Sequence, residues 1–177
     1  MIQKENVDIL FIPSDNDLYP NSYLTYIDVN EFSDKLCGFF RPGHFKGVAT
    51  IVAKLLNIVK PDAMFLGQKD AQQVVVLARM IEDLNFTVGL HVVPTAREKD
   101  GLAMSSRNVH LSEQERKEAP VLYKALQSAK SSIMAGEKSA ARIKATIEKM
   151  ILKQSSGKIQ VLNHPCKHHR LLRILLA

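Results

Sequence analysis

Between residues 44 and 59 the apolar side chains Phe45, Val48, Ile51, Val52, Leu55, Leu56 and Val59 recur at spacings of three and four. That period predicts a helix with one buried face, stopped by Pro61. A short apolar run, AMFL at residues 63–66, follows a turn and closes at Gly67, which predicts a buried strand. Residues 69–84 return to the helical period through Val74, Val76, Leu77, Met80, Ile81 and Leu84. Residues 87–93, TVGLHVV, are β-branched and end before Pro94, so a further strand is expected. Upstream, VDILFIP at residues 7–13 predicts a buried parallel strand closed by Pro13. Residues 14–20 carry turn chemistry, residues 22–29 read as a second, more exposed strand, and Pro42 and Gly43 place residues 39–45 in a loop.

Short apolar strands alternating with helices predict a parallel sheet with crossover connections. Ligands of such sheets collect at the carboxyl ends of strands, where the next helix offers unpaired N–H groups. Residues 67–70 and 96–107 both follow strand ends, so both are expected at one sheet edge. Beyond Asn108 the strand–helix alternation stops. Ser112 and Glu115 make a capping box, and helical signals run to Gly136, with Pro120 as a kink or a new start. Another helix is expected over residues 139–153. The expected architecture is an α/β fold with a partial Rossmann-like parallel sheet over residues 1–96. A smaller, mainly helical C-terminal domain over residues 97–177 would carry the second loop.

The 177 residues suffice for a sizeable core. Net charge is +6, which suits an anionic ligand, but acidic and basic residues are interspersed and aromatics are 6%, so no stacking platform for nucleic acid is expected. No run is long enough to span a bilayer, and the first residues lack a secretory pattern. Cys37 and Cys166 lie far apart, which speaks against a disulfide framework and for a reducing cytoplasm.

Candidate chemistry concentrates in ARE-KDGLAMSSRN, residues 96–108. Arg107 is suited to bidentate phosphate binding, and Ser105 and Ser106 to donating to it. A phosphate cradle and a polar interdomain loop weigh equally on these residues alone. Gly67-Gln68-Lys69-Asp70 joins a strand to a helix, and Lys69 there can neutralise a phosphate, although on spacing alone a plain turn is slightly favoured. Gln72 and Gln73 open that helix; taken alone, the pair reads as solvent-facing. Arg41 is left open as a cation, and His44 reads as a turn residue beside a helix start. His164, Cys166, His168 and His169 resemble metal ligands by type, but adjacent histidines suit one tetrahedral site poorly, so no metal site is expected.

Taken together, VDILFIPS with DLYP, RPGHFKGV, KLLNIVKPD, FLGQKDAQQ and REKDGLAMSSRNVHLSEQER resemble the pantothenate synthetase, or pantoate–β-alanine ligase, family of the nucleotidyltransferase superfold. The resemblance covers residues 7–116 closely and residues up to about 153 more loosely. It implies an AMP-forming ligase in coenzyme A biosynthesis. Pantoate would react with ATP to give pantoyl adenylate and pyrophosphate, and β-alanine would then displace AMP to give pantothenate. By the family pattern, ATP is bound by Gly67, Gln68, Lys69, Asp70, Ala96, Met104, Ser105, Ser106 and Arg107. Lys69 and Arg107 stabilise the leaving pyrophosphate, Gln73 binds pantoate, Mg²⁺ accompanies the nucleotide, and the chain forms a homodimer. Residues 104–107 are also similar to the mobile KMSKS loop of class I aminoacyl-tRNA synthetases. Gln68 stands where the family commonly has Glu, and Ala96 where it has a larger aliphatic.

Two departures shape the expectation for this chain. The family's H-x-G-H signature occurs nowhere in it, and the tail after about Gly157, KIQVLNHPCKHHRLLRILLA from Lys158, does not follow the family's closing strands. The expectation is therefore an incomplete nucleotide domain with impaired ligase activity on its own. The alternatives are half of a split enzyme that needs a partner chain, or a non-catalytic remnant that self-associates through an unpaired apolar sheet edge.

Overall fold

The computed structural model describes Lys4 and residues 6–159. Its centre is β1 (Ala63–Gly67), α4 (Ala71–Asp83) and β2 (Gly89–Val93), with β1 and β2 paired in parallel. Ahead of them come the single turns α1 (Asp15–Leu18) and α2 (Cys37–Phe40) and the long helix α3 (His44–Val59); after them come α5 (Glu113–Glu118), α6 (Val121–Met134) and α7 (Ala140–Gln154).

Helix α3 begins and ends where the apolar period places it, but its buried face is rotated. The buried positions are Phe45, Ala49, Thr50, Ala53 and Leu56, while Val48 and Val52 flank the core and Val59 is exposed. Small residues at 49 and 53 let α3 lie close to α4, which contributes Val76, Leu77 and Met80 to the same core. Leu77 is wholly buried, and removing such a side chain costs about 2–5 kcal/mol. Strand β1 alternates, turning Met64 and Leu66 to this core and Phe65 outward, where Phe65 stacks on its register partner His91 at 5.0 Å between ring centroids.

The two upstream strands are not formed. Residues 7–13 are extended but unpaired, with Ile9 85% and Ile12 76% exposed. An apolar run becomes a buried strand only where a neighbour supplies both a ladder and a cover, and among the described residues none does. Residues 22–29 are also without a ladder, for a visible reason: the Ile27 N–H donates to Thr50 Oγ1 at 2.9 Å, and that hydroxyl donates to Lys46 O at 2.7 Å. The segment is thus held to α3 instead of to the sheet. Tyr19, Tyr23 and Tyr26 pack edge to face beside it, with Lys54 over Tyr23 and Lys46 over Tyr26. The turn chemistry of residues 14–20 folds as α1 with a Ser14–Asp17 capping box, and part of the expected 39–45 loop is the helical turn α2.

The C-terminal helices follow their signals. Ser112 and Glu115 form the capping box of α5, Pro120 starts α6, and Gly136 takes a positive φ of 99° just past its end. Glu118 at the end of α5 accepts from the N–H and hydroxyl of Ser156, tying α5 to the chain leaving α7. Helices α6 and α7 pack on each other. No helix among the described residues is long and apolar enough to cross a membrane. His164, Cys166, His168 and His169, and the tail from residue 160, lie outside the described residues.

Candidate functional site

The ladder between β1 and β2 ends with Gly67 opposite Val93. The two strands run the same way, so the chain leaves both at one edge of the sheet. From Gly67 it passes into a 3-10 turn, Gln68–Asp70, and then into α4. No side chain caps the first turn of α4, and that turn carries no acidic residue. Its N–H groups therefore keep their attraction for an anion. Lys69 Nζ lies 3.7 Å from Asp70 Oδ2, both partly exposed. Gly67 has an ordinary φ of −74°, and a Cβ built on it would meet nothing. Its use is the open space above the turn, not conformational freedom.

From Val93 the chain passes through Ala96 into a tight hairpin. Arg97 and Ala103 form an antiparallel bridge, the Glu98 N–H donates to Leu102 O at 2.8 Å, and the Met104 N–H donates to Ala96 O at 2.9 Å. Asp100 turns the tip, with Oδ1 accepting from the Leu102 N–H. Gly101 has φ +93°, and a side chain there would run into the ring of Tyr123 on α6. Arg97 lies over the other part of that contact, its guanidinium 4.2 Å from the Tyr123 centroid and donating to Gly101 O at 3.1 Å.

Met104 and Ser105 lead from the hairpin into a second 3-10 turn, Ser106–His110. Ser105 Oγ accepts from the Arg107 N–H at 3.2 Å and so caps that turn. Met104, Ser106 and Arg107 are exposed, and among the described residues neither the Ser106 hydroxyl nor the Arg107 guanidinium has a partner. An uncapped helix start with a lysine on one side, and hydroxyls with an unengaged guanidinium on the other, can hold an extended polyanion. Residues 97–101 of the hairpin line a cleft of about 570 Å³ beside Tyr123, but residues 67–70 and 104–107 line neither this cleft nor the one of about 740 Å³ beside residues 27–32. The face that carries the loops is open.

The paired glutamines divide. Gln72 donates from Nε2 to Phe32 O and Lys35 O, at 2.9 and 2.7 Å, and accepts from the Cys37 N–H at 3.1 Å. It fastens the 32–37 segment to α4 and is not solvent-facing. Gln73 is half-buried, and its side-chain amide makes no hydrogen bond to another described residue. His44 is the first residue of α3 and packs against Phe45, as a turn residue should.

Four polar side chains at this edge, Glu98, Asp100, Asn108 and Arg116, stand outside the set expected from sequence. Asn108 Nδ2 donates to Ala103 O at 3.1 Å and to Glu98 Oε1 at 3.3 Å. Arg116 on α5 forks across Glu98 Oε2 at 2.5 Å and Asp100 Oδ2 at 2.6 Å. Hydrogen bonding from Arg116, and then from the Leu102 N–H, holds the Asp100 carboxyl below the usual carboxylate range, and the hydrogen bonds to Asp100 and Glu98 push the Arg116 guanidinium up. The sequence signal for this cluster is faint: two acids around a turn and an arginine one helix later.

Relatives carry the same architecture. The profile of the pantoate-beta-alanine ligase family matches residues 1–171, past the point near Gly157 where the tail was expected to diverge. A pantothenate synthetase of Caldicellulosiruptor bescii is 51% identical over 162 residues, covering 92% of this chain and 57% of the relative. One from Thermodesulfovibrio yellowstonii is 59% identical over 132 residues, covering 75% and 47%. The crystal structure of the pantothenate synthetase of Thermus thermophilus superposes with a TM-score of 0.82 at 43% identity, covering 86% of this chain and 55% of that one. A Francisella tularensis pantoate-beta-alanine ligase, solved in complex with beta-gamma ATP and beta-alanine, superposes at 0.66 and 34% identity, covering 84% and 55%. This chain spans about half the length of the curated relatives it matches.

Proposed function

From its membership of the pantoate–β-alanine ligase family, we infer that this chain supplies the ATP-binding side of a ligase that joins pantoate to β-alanine through a pantoyl adenylate. One observation carries the reading: the Gly67↔Val93 register, which brings residues 67–70 and the hairpin leading to residues 104–107 to one sheet edge. Gly67, Gln68, Lys69 and Asp70 take the nucleotide from the α4 side, and Met104, Ser105, Ser106 and Arg107 from the other. The Ala96 carbonyl already holds Met104, which leaves its N–H as the group for the nucleotide.

In the first step a pantoate carboxylate oxygen attacks the α-phosphorus of ATP, and the bond to the bridging oxygen of pyrophosphate breaks. Negative charge grows on the departing oxygens, and Lys69 and Arg107 are the cations placed to offset it. In the second step the β-alanine amine attacks the acyl carbon of the mixed anhydride, releasing AMP and, after loss of a proton, pantothenate. No nucleophilic side chain is required; alignment and charge carry both steps. Gln73, whose neighbour Gln72 is already committed to the fold, is the amide left to hold pantoate.

Mg²⁺ belongs to the same proposal. Asp70 is the carboxylate on the 67–70 turn, and among the described residues no group of three acids, histidines or cysteines gathers. That donor set fits an ion held mostly by phosphate oxygens and water, with Asp70 as the protein's contribution. When bound, the ion would neutralise phosphate charge. A homodimer in the cytoplasm completes the reading.

The test is ATP binding by the 177-residue chain, measured by calorimetry and by the rise in Tm that a ligand of the folded state produces. Pyrophosphate release with ATP, pantoate and Mg²⁺ then tests chemistry. The exposed residues 7–12 favour a second reading, a non-catalytic chain that self-associates through that stretch. Under it ATP leaves Tm unchanged and the association state depends on Ile9 and Ile12.

A further inference from the structure

The span from Met104 to Arg107 is short, exposed and fastened at both ends. Its first residue hangs from the hairpin through the Met104 N–H to Ala96 O bond. Its far end is closed by Asn108, whose side-chain amide reaches back across the span to Ala103 O while its backbone N–H donates to Ser105 O at 3.1 Å. The same side-chain amide also meets Glu98 Oε1. Glu98 is thus shared: one carboxylate oxygen serves Asn108 and the other serves Arg116, which spends its second arm on Asp100. A continuous polar path runs from α5, through Arg116 and Glu98, to the residue that closes the loop. Planar forks of this kind fix orientation as well as distance, and a lysine cannot reproduce them.

We propose that Arg116, Glu98 and Asn108 are positioning residues that hold the Ser105–Arg107 loop in the conformation in which it receives ATP phosphates, an inference that rests on the ATP reading of that loop. The three need not touch the nucleotide. They limit how far Ser106 and Arg107 can wander before it arrives, so that less freedom is lost on binding. Asp100 has a supporting part: it gives the Arg116 fork its second tine and turns the hairpin tip through the Leu102 N–H.

The test uses Asn108→Ala and Arg116→Lys in the full 177-residue chain, with Lys69→Ala and Arg107→Ala as controls. Amide hydrogen exchange is read without nucleotide at Arg107 and Asn108, the two N–H groups bonded to Ser105, and at Leu77 and Met80 in the core. Both positioning variants are expected to speed exchange at 107 and 108 by about tenfold or more while the core amides keep their protection. ATP affinity is expected to fall by about tenfold in each, with Tm changed little, because ordering of the loop then opposes binding. Unchanged exchange at 107 and 108 in both variants overturns the proposal, as does faster exchange with undiminished ATP affinity. Failure of the ATP reading has a separate signature: the unmodified chain, or the Lys69→Ala and Arg107→Ala controls, would show no loss of ATP binding to measure, whereas the exchange result still decides whether the three residues hold the loop.

Discussion

Gly67 and Val93 are the last partners of a two-stranded parallel ladder, and everything assigned to nucleotide binding leaves the sheet from one or the other. Lys69 is two residues past the first, and Ala96 three past the second. Lys69→Ala and Arg107→Ala are each expected to weaken ATP binding by about tenfold or more, since each removes a charge-assisted contact to phosphate. Titration calorimetry checks this. Raising the salt concentration should weaken binding by the unmodified chain more than by either variant, because exposed cations are screened.

The adjacent glutamines are expected to separate by assay. Gln72→Ala removes three hydrogen bonds to the 32–37 segment and should cost about 1–3 kcal/mol of stability in a urea titration. Gln73→Ala, which breaks no bond among the described residues, should stay within about 0.5 kcal/mol. Equal losses in the two variants would remove the reason for assigning Gln73 to a ligand.

Gly101 is needed twice over, for its φ of +93° and for the Tyr123 ring that fills the place of a side chain. Gly101→Ala should cost about 1–3 kcal/mol. Shrinking the ring separates the two causes: in a Tyr123→Ala background the cost of Gly101→Ala should drop to the backbone part alone. Additive losses would show that the ring imposes no constraint.

Among the described residues, five carboxyls are held below their ordinary range. Asp17 is lowered by the Ser14 hydroxyl, Asp100 by Arg116, Glu115 by the Ser112 N–H, Glu118 by the Ser156 N–H and Glu137 by the Ser139 N–H. A carboxyl lowered on folding adds stability above its unfolded pKa and loses it as pH falls through the folded one. Tm is therefore expected to hold through neutral pH and to drop below about pH 4. Glu118→Gln should shallow that drop. A Tm independent of pH down to about 3 would contradict the assignment of these contacts.

Most of the longer helices were legible in the sequence because they carry local signals: Pro61 beyond α3, the Ser112–Glu115 box of α5, Pro120 at α6 and Gly136 after it; the single turns α1 and α2, in segments read as turn and loop, were not. The central strands were legible because apolar runs at residues 63–66 and 87–93 flank a helix that pairs them. Residues 7–13 have the same composition and form no strand, since a run of apolar residues does not specify whether a neighbour is there to pair with it. Residues 22–29 were misread for a related reason: Thr50, more than twenty residues away, takes the Ile27 N–H. The two phosphate-suited loops were visible as residue types in local order. The Arg116 fork was not, because its acids lie 16 and 18 residues upstream and only the folded hairpin sets them side by side.

The crossover from β1 through α4 to β2 closes within residues 63–93, so its contacts are near in sequence although its strands are parallel. Short loops close early, which makes this unit the expected nucleus of folding. Val76→Ala in α4 should then slow refolding, whereas Ile151→Ala in α7 should chiefly hasten unfolding, a difference that stopped-flow chevrons resolve. On that order of events, the edge from which both loops proposed to take the nucleotide depart exists before the helices that steady one of them have docked.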